Sequence, residues 1–118
     1  MSTELKNWTQ DADAVTYQSC IGCKAVWYFQ RDFCLECGAS APATRRASGL
    51  GTVHACTLVA RAPNEEWRAH VPYLIVLVDV DEGFRLMAHG AATLRIGERV
   101  RMHFVQLAGK KIPFFEKV

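Results

Sequence analysis

The chain has 118 residues, half of them apolar and 22% charged, with five cysteines and a formal net charge of +2. That length holds one compact domain or two very small ones, and the apolar fraction suffices for a core, which excludes wholesale disorder. A charge so near balance argues against a dedicated nucleic-acid binder, leaving room only for a local basic patch, and the longest apolar run, Tyr73 to Val78, is far short of the roughly 20 residues of a membrane helix.

Residues 1–18 read as an amino-terminal arm. Glu4, Lys6 and polar neighbours stand where a secretory signal would carry a basic start and an apolar stretch, so a cytoplasmic location with reduced thiols is expected. Trp8 reads as an aromatic anchor on a short helix, packed on its own domain or on a partner, the first being the commoner role of a single tryptophan, and Asp11 and Asp13 form an acidic cluster.

Residues 19–42 carry the sharpest signal, two C-x-x-C pairs, Cys20-Ile-Gly-Cys23 and Cys34-Leu-Glu-Cys37, ten residues apart. Two tight turns, each offering two thiolates, converge on a tetrahedral ion without a long framework. Soft thiolate donors suit zinc, with rubredoxin-type iron as the rival metal. All four positions are filled by sulfur, so the ion is expected to be structural, not catalytic. A thioredoxin-like dithiol is the weaker reading, since no βαβ pattern surrounds either pair. Gly22 and Gly38 are expected to serve the sharp knuckles. Trp27, Tyr28 and Phe29 lie between the pairs and cannot all face one small core, because successive strand residues point to opposite sides.

Ala39 to Gly51, with Arg45-Arg46, reads as a linker into residues 43–118. From there the pattern is β: Thr52 to Ala60, Tyr73 to Val80, a turn at Asp81-Glu82-Gly83, a returning strand to His89, an alternating Arg99 to Leu107, and Ile112 to Glu116 after Ala108-Gly109. Five short strands and no convincing helix point to a small closed barrel, with the OB-fold leading. Val53, Leu58, Ile75, Leu77, Phe84, Leu86, Val100, Met102 and Phe104 are its candidate interior, and Pro113 belongs at an edge or strand end. Cys56 reads as a small buried hydrophobe. The fold expected is mainly β: a rubredoxin-like zinc ribbon followed by a five-stranded OB-fold barrel, with a short N-terminal arm.

Cys20 to Phe115 resembles a known family, the zinc-ribbon plus OB-fold acyl-CoA-associated proteins catalogued as domain of unknown function thirty-five. The marks are the paired C-x-x-C motifs, Ser48-Gly49-Leu50-Gly51-Thr52-Val53, Ala60-Arg61-Ala62-Pro63, Val71-Pro72-Tyr73, Asp81-Glu82-Gly83-Phe84-Arg85-Leu86, Ile96-Gly97-Glu98-Arg99-Val100 and Ile112-Pro113-Phe114-Phe115. The resemblance implies a small accessory subunit of a thiolase-type enzyme, of a hydroxymethylglutaryl-CoA synthase system or of an acyl-CoA hydratase, with catalysis in the other chain. This sequence departs from it in a short arm and in Lys24, where a glycine often follows the first cysteine pair.

His54, His70, His89 and His103 fall in no Ser-His-Asp, Cys-His or H-E-x-x-H arrangement, and Glu65-Glu66 and Asp81-Glu82 read as solvated loop charges. The expected role is therefore a non-catalytic subunit in a hetero-oligomer with a thiolase-like enzyme. Cys20, Cys23, Cys34 and Cys37 would hold a structural Zn²⁺. Arg45, Arg46, Lys110 and Lys111, at the two ends of the barrel sequence, would assist CoA-thioester binding through its phosphates. Trp27, Phe29, Phe114 and Phe115 would contact the partner. The rival class is single-stranded nucleic-acid binding, which zinc ribbons and OB barrels serve elsewhere; Tyr73 to His89 offers few of the stacking aromatics and cations such readers place there.

Overall fold

The computed structural model describes residues 7–10, 12–61, 64–107 and 109–118. They form two β structures in series, a three-stranded sheet and a closed five-stranded barrel.

In the small sheet, β1 (Thr16–Ser19) lies between β2 (Val26–Trp27) and β3 (Ala43–Arg46), antiparallel to both. β1 thus begins inside the stretch expected as an arm, and β3 inside the stretch expected as the barrel domain. Trp8–Gln10 form a single 3-10 turn, and the Trp8 indole Nε1 donates to the Tyr28 hydroxyl at 2.9 Å. Trp8 is thus an anchor within its own chain.

The barrel runs in the order β4 (Leu50–Val59), β5 (Tyr73–Val80), β6 (Arg85–Gly90), β8 (Lys110–Lys117), β7 (Arg99–Leu107). All neighbours are antiparallel except β6 and β8, whose parallel register pairs His89 with Phe114 and Gly90 with Phe115. One parallel contact closes the cylinder, pairing β6 with β8, while β7 meets β4 only over its first three residues. The segment between β4 and β5 holds one short helix, α1 (Glu65–Arg68), whose Trp67 amide donates to the Asn64 side chain.

The interior follows the two-residue period. In β5, Leu74, Val76, Val78 and Val80 are buried, while Tyr73, Ile75 and Leu77 are half-buried and turned outward. Ile75 and Leu77 were expected inside; the run is continuous in sequence, and only the register decides which half faces the core. Leu58 is 56% exposed near the strand end. Val53, Phe84, Leu86 and Val100 are buried as expected, joined by Val15, Leu94 and Phe115, and Met102, Phe104 and Cys56 pack half-buried against them. Pro113 lies within β8 opposite Phe104.

Phe84 joins the two structures. Its ring stacks on Tyr17 at 5.1 Å and on Tyr28 at 5.9 Å between centroids, so the sheet sits on the barrel end through aromatic faces. Trp27 points to the opposite side, where it packs with Cys20 and Cys34 in a second small core. Its indole donates to the Gln18 side-chain oxygen at 2.7 Å.

Candidate metal centre and basic cleft

Each C-x-x-C turn is built by the same two backbone bonds. In the first, the Cys20 amide donates to the Ala25 carbonyl at 2.8 Å and the Lys24 amide to the Cys20 carbonyl at 3.1 Å; in the second, Cys34 donates to Ala39 and Gly38 to Cys34, both at 2.8 Å. The pattern demands a left-handed residue just after the second cysteine: Gly38 has φ 80° and Lys24 φ 65°. Gly22, expected to be a conformational necessity, has no such φ, and a Cβ there would meet only the Cys20 sulfur at 3.8 Å. Its counterpart in the second turn is Glu36.

The two turns bring the four cysteine Sγ atoms within 4.8 Å of one another. Cys20 and Cys37 approach to 3.5 Å and Cys23 and Cys34 to 3.6 Å, well beyond a disulfide bond of about 2.05 Å. An ion with four sulfurs at about 2.3 Å in tetrahedral array has sulfur–sulfur edges of about 3.8 Å. Geometry and donor chemistry thus both fit a closed four-thiolate site. The Cys23 amide, directed at the Cys20 sulfur from 3.5 Å, lowers that thiol to about 6 against the opposing pull of burial. Cys23 moves the other way, to about 12: the Ala25 amide lowers it, but the neighbouring thiols and burial outweigh that. Sulfurs this close share protons, and a cation that holds all four as thiolates must displace them.

Around the centre stands an apolar surface. Ile21 and Leu35, the second residues of the two turns, are 77% and 61% exposed, and Phe33, next to Cys34, is 52% exposed; Phe29, 75% exposed, stands edge-on to Tyr28 farther along the same segment. Of the residues expected to meet a partner, Phe29 is therefore outermost, and Phe114 is half-buried against His103. Trp27 and Phe115 are core residues: Trp27 closes over Cys20 and Cys34, and Phe115 is 1% exposed on the inner face of β8. Ile21, Phe33 and Leu35 were not singled out from the sequence, although an aliphatic residue at the same place in both cysteine turns was a visible sign.

The four cations separate in pairs, because neighbours in a strand face opposite ways. Arg46 and Lys111 line a common cleft of about 440 Å³, between residues 13–15 and 46–48 on one side and residues 102–106 of β7 on the other. Lys111 meets Asp13 there at 2.8 Å. Arg45 instead donates to the Ser19 hydroxyl, and Lys110 begins β8 outside the cleft lining. Asp11 lies outside the described residues.

The remaining polar residues hold structure. Asp81 accepts from both terminal guanidinium nitrogens of Arg99 at 2.7 Å, and Glu82 accepts from the Ser48 amide, so this turn is bonded to β7 and to the connection between β3 and β4 where solvated charges were expected. Glu65 pairs with Arg68. His54 faces Asp79 at 3.4 Å and His103 faces Glu116 at 2.6 Å. His89 lies flat against Trp67, 4.9 Å between centroids, and burial lowers its pKa.

Residues 44–105 match the family described as ChsH2, C-terminal OB-fold domain. The chain belongs to this DUF35 OB-fold family. A DUF35 domain-containing scaffold protein of Methanothermobacter thermautotrophicus is 26% identical over 95 residues, which span 76% of this chain and 71% of that protein. Among solved DUF35 structures, the Ltp2-ChsH2(DUF35) aldolase superposes with a TM-score of 0.74 at 24% identity, over 88% of this chain and 84% of the other. A DUF35 protein of unknown function from Sulfolobus solfataricus gives 0.63 at 13% identity, over 89% and 76%. Those two similarities establish the DUF35 fold.

Proposed function

We propose that this chain is a non-catalytic subunit that docks on a thiolase-type acyl-CoA enzyme, with Cys20, Cys23, Cys34 and Cys37 holding a structural Zn²⁺ that fixes the docking surface. The observation that carries the reading is the apolar surface around the cysteines. Ile21, Phe29, Phe33 and Leu35 are exposed on a segment with little core of its own, where burial against water would favour association. The names of two similar proteins, a scaffold and the ChsH2 component of an aldolase, agree with a supporting role. Zinc with four thiolates has no open coordination position, so its chemistry here is cross-linking. Assistance to CoA-thioester binding rests in this reading on Arg46 and Lys111, whose charges share a cleft and suit phosphate. Bond-making belongs to the companion chain.

Capture of the full chain from its native cells, followed by mass spectrometry, tests the assignment. A thiolase-fold companion in fixed ratio is expected. An acyl-CoA hydratase would move the docking role to a different enzyme, and a chain that migrates alone would refute the subunit reading.

A further inference from the structure

The cleft has a second property that phosphate recognition does not use. β7 pairs with β8 along its whole length, but with β4 only at Arg99, Val100 and Arg101. On the β4 side, the Met102 amide is taken by the Gly49 carbonyl at 2.8 Å, and among the described residues no strand continues beyond it. Backbone groups alternate sides along a strand, so the amides and carbonyls of Phe104 and Gln106 point the same way as that of Met102, away from β8. The partner across from Phe104 is Pro113, which has no N–H to offer and is tolerated there because that pair exchanges none. Phe104 and Gln106 therefore turn a short strand edge into the cleft.

We propose that this edge takes an extended, acidic peptide segment of the partner protein, added as one more strand beside β7. The cleft lies along this edge, opposite residues 13–15. Main-chain bonds to Phe104 and Gln106 supply the register, as in other strand additions to a sheet edge. Arg46 supplies the preference for acid: it lines the cleft with no ion pair among the described residues, whereas Lys111 is engaged by Asp13. The segment's occupant follows the docking role proposed above and deepens it, naming what kind of partner chain reaches this cleft.

The test is a ¹H–¹⁵N NMR titration of the full, metal-loaded chain with two acetylated and amidated hexapeptides, one alternating valine with glutamate, the other valine with lysine. The glutamate peptide is expected to shift the Phe104 and Gln106 amides saturably and slow their exchange, while the Val105 amide, bonded toward β8, keeps its slow exchange unchanged. The lysine peptide should bind at least about tenfold more weakly, the loss of one charge-assisted contact. Gln106→Pro should abolish the response by removing an edge amide, and Arg46→Glu, which leaves the edge intact, should reverse the preference. Equal responses to both peptides, no saturable shift at millimolar peptide, or a shift given by CoA and by neither peptide would overturn the proposal. Because co-purification with the companion enzyme is read separately, a failed titration beside an intact complex removes the strand edge and spares the subunit reading.

Discussion

Lys24 is a residue in the wrong conformation for its type. The cysteine turn needs a left-handed backbone at this place, Gly38 provides it in the second turn, and Lys24 adopts φ 65° in the first. A side chain in that region costs about 1–2 kcal/mol, and glycine returns part of this as unfolded-state entropy. Lys24→Gly should therefore raise stability by about 0.5–1 kcal/mol, read from denaturant midpoints of the metal-loaded protein; Gly38→Ala should lower it by a similar amount. Asp81 offers a pH test. The hydrogen bonds from Arg99 hold its carboxyl below the ordinary aspartate range, so its folded-state value lies below its unfolded one. The stabilisation is complete above the unfolded value near about 4 and is lost as pH falls through the folded one. Asp81→Asn should lower the urea midpoint at pH 7, and the gap from wild type should close toward pH 3. An unchanged gap at pH 3 would show that the Arg99 contact acts otherwise than by charge.

At the scale of elements, the cysteine spacing was legible because it states a ligand geometry outright, and the five strands were legible because alternation and turn residues mark them. The faces were not. Ile75 and Leu77 look like core residues in an unbroken aliphatic run, yet register turns them outward while Val76 and Val78 fill the barrel. A pair of adjacent arginines likewise looks like one patch, but β3 sends Arg45 to Ser19 and Arg46 to the cleft. Phe115 and Trp27 looked like surplus aromatics because the sequence does not reveal that Phe115 lies inside the cylinder and Trp27 against the cysteines. Close packing between strands gives a sharper prediction. A Cβ at Gly51 would stand 2.5 Å from Val78 Cγ1 and 2.7 Å from the Asp79 carbonyl oxygen, so Gly51→Ala must part β4 from β5. A loss of about 1–3 kcal/mol in urea unfolding is expected; a neutral change would show that the two strands separate without cost.

The whole molecule combines a barrel with a continuous apolar core and a cysteine segment whose own core is Cys20, Trp27 and Cys34. The first can stand on burial, while the second needs the about 10–16 kcal/mol that a structural zinc ion supplies to small domains. Chelation should therefore melt the segment first, with Trp27 becoming exposed to solvent quenchers while amides of β5 and β6 stay protected from exchange. Loss of protection throughout, in step with the metal, would mean that the Phe84 joint with Tyr17 and Tyr28 makes one cooperative unit. Docking is the claim on which the functional account stands, and it has its own measurement: native mass spectrometry of the companion enzyme mixed with metal-loaded wild type or with the double variant Ile21→Ser, Leu35→Ser. The account predicts a stable complex with wild type and none, or one at least about tenfold weaker, with a variant that keeps its metal. An undiminished complex with that variant would contradict it.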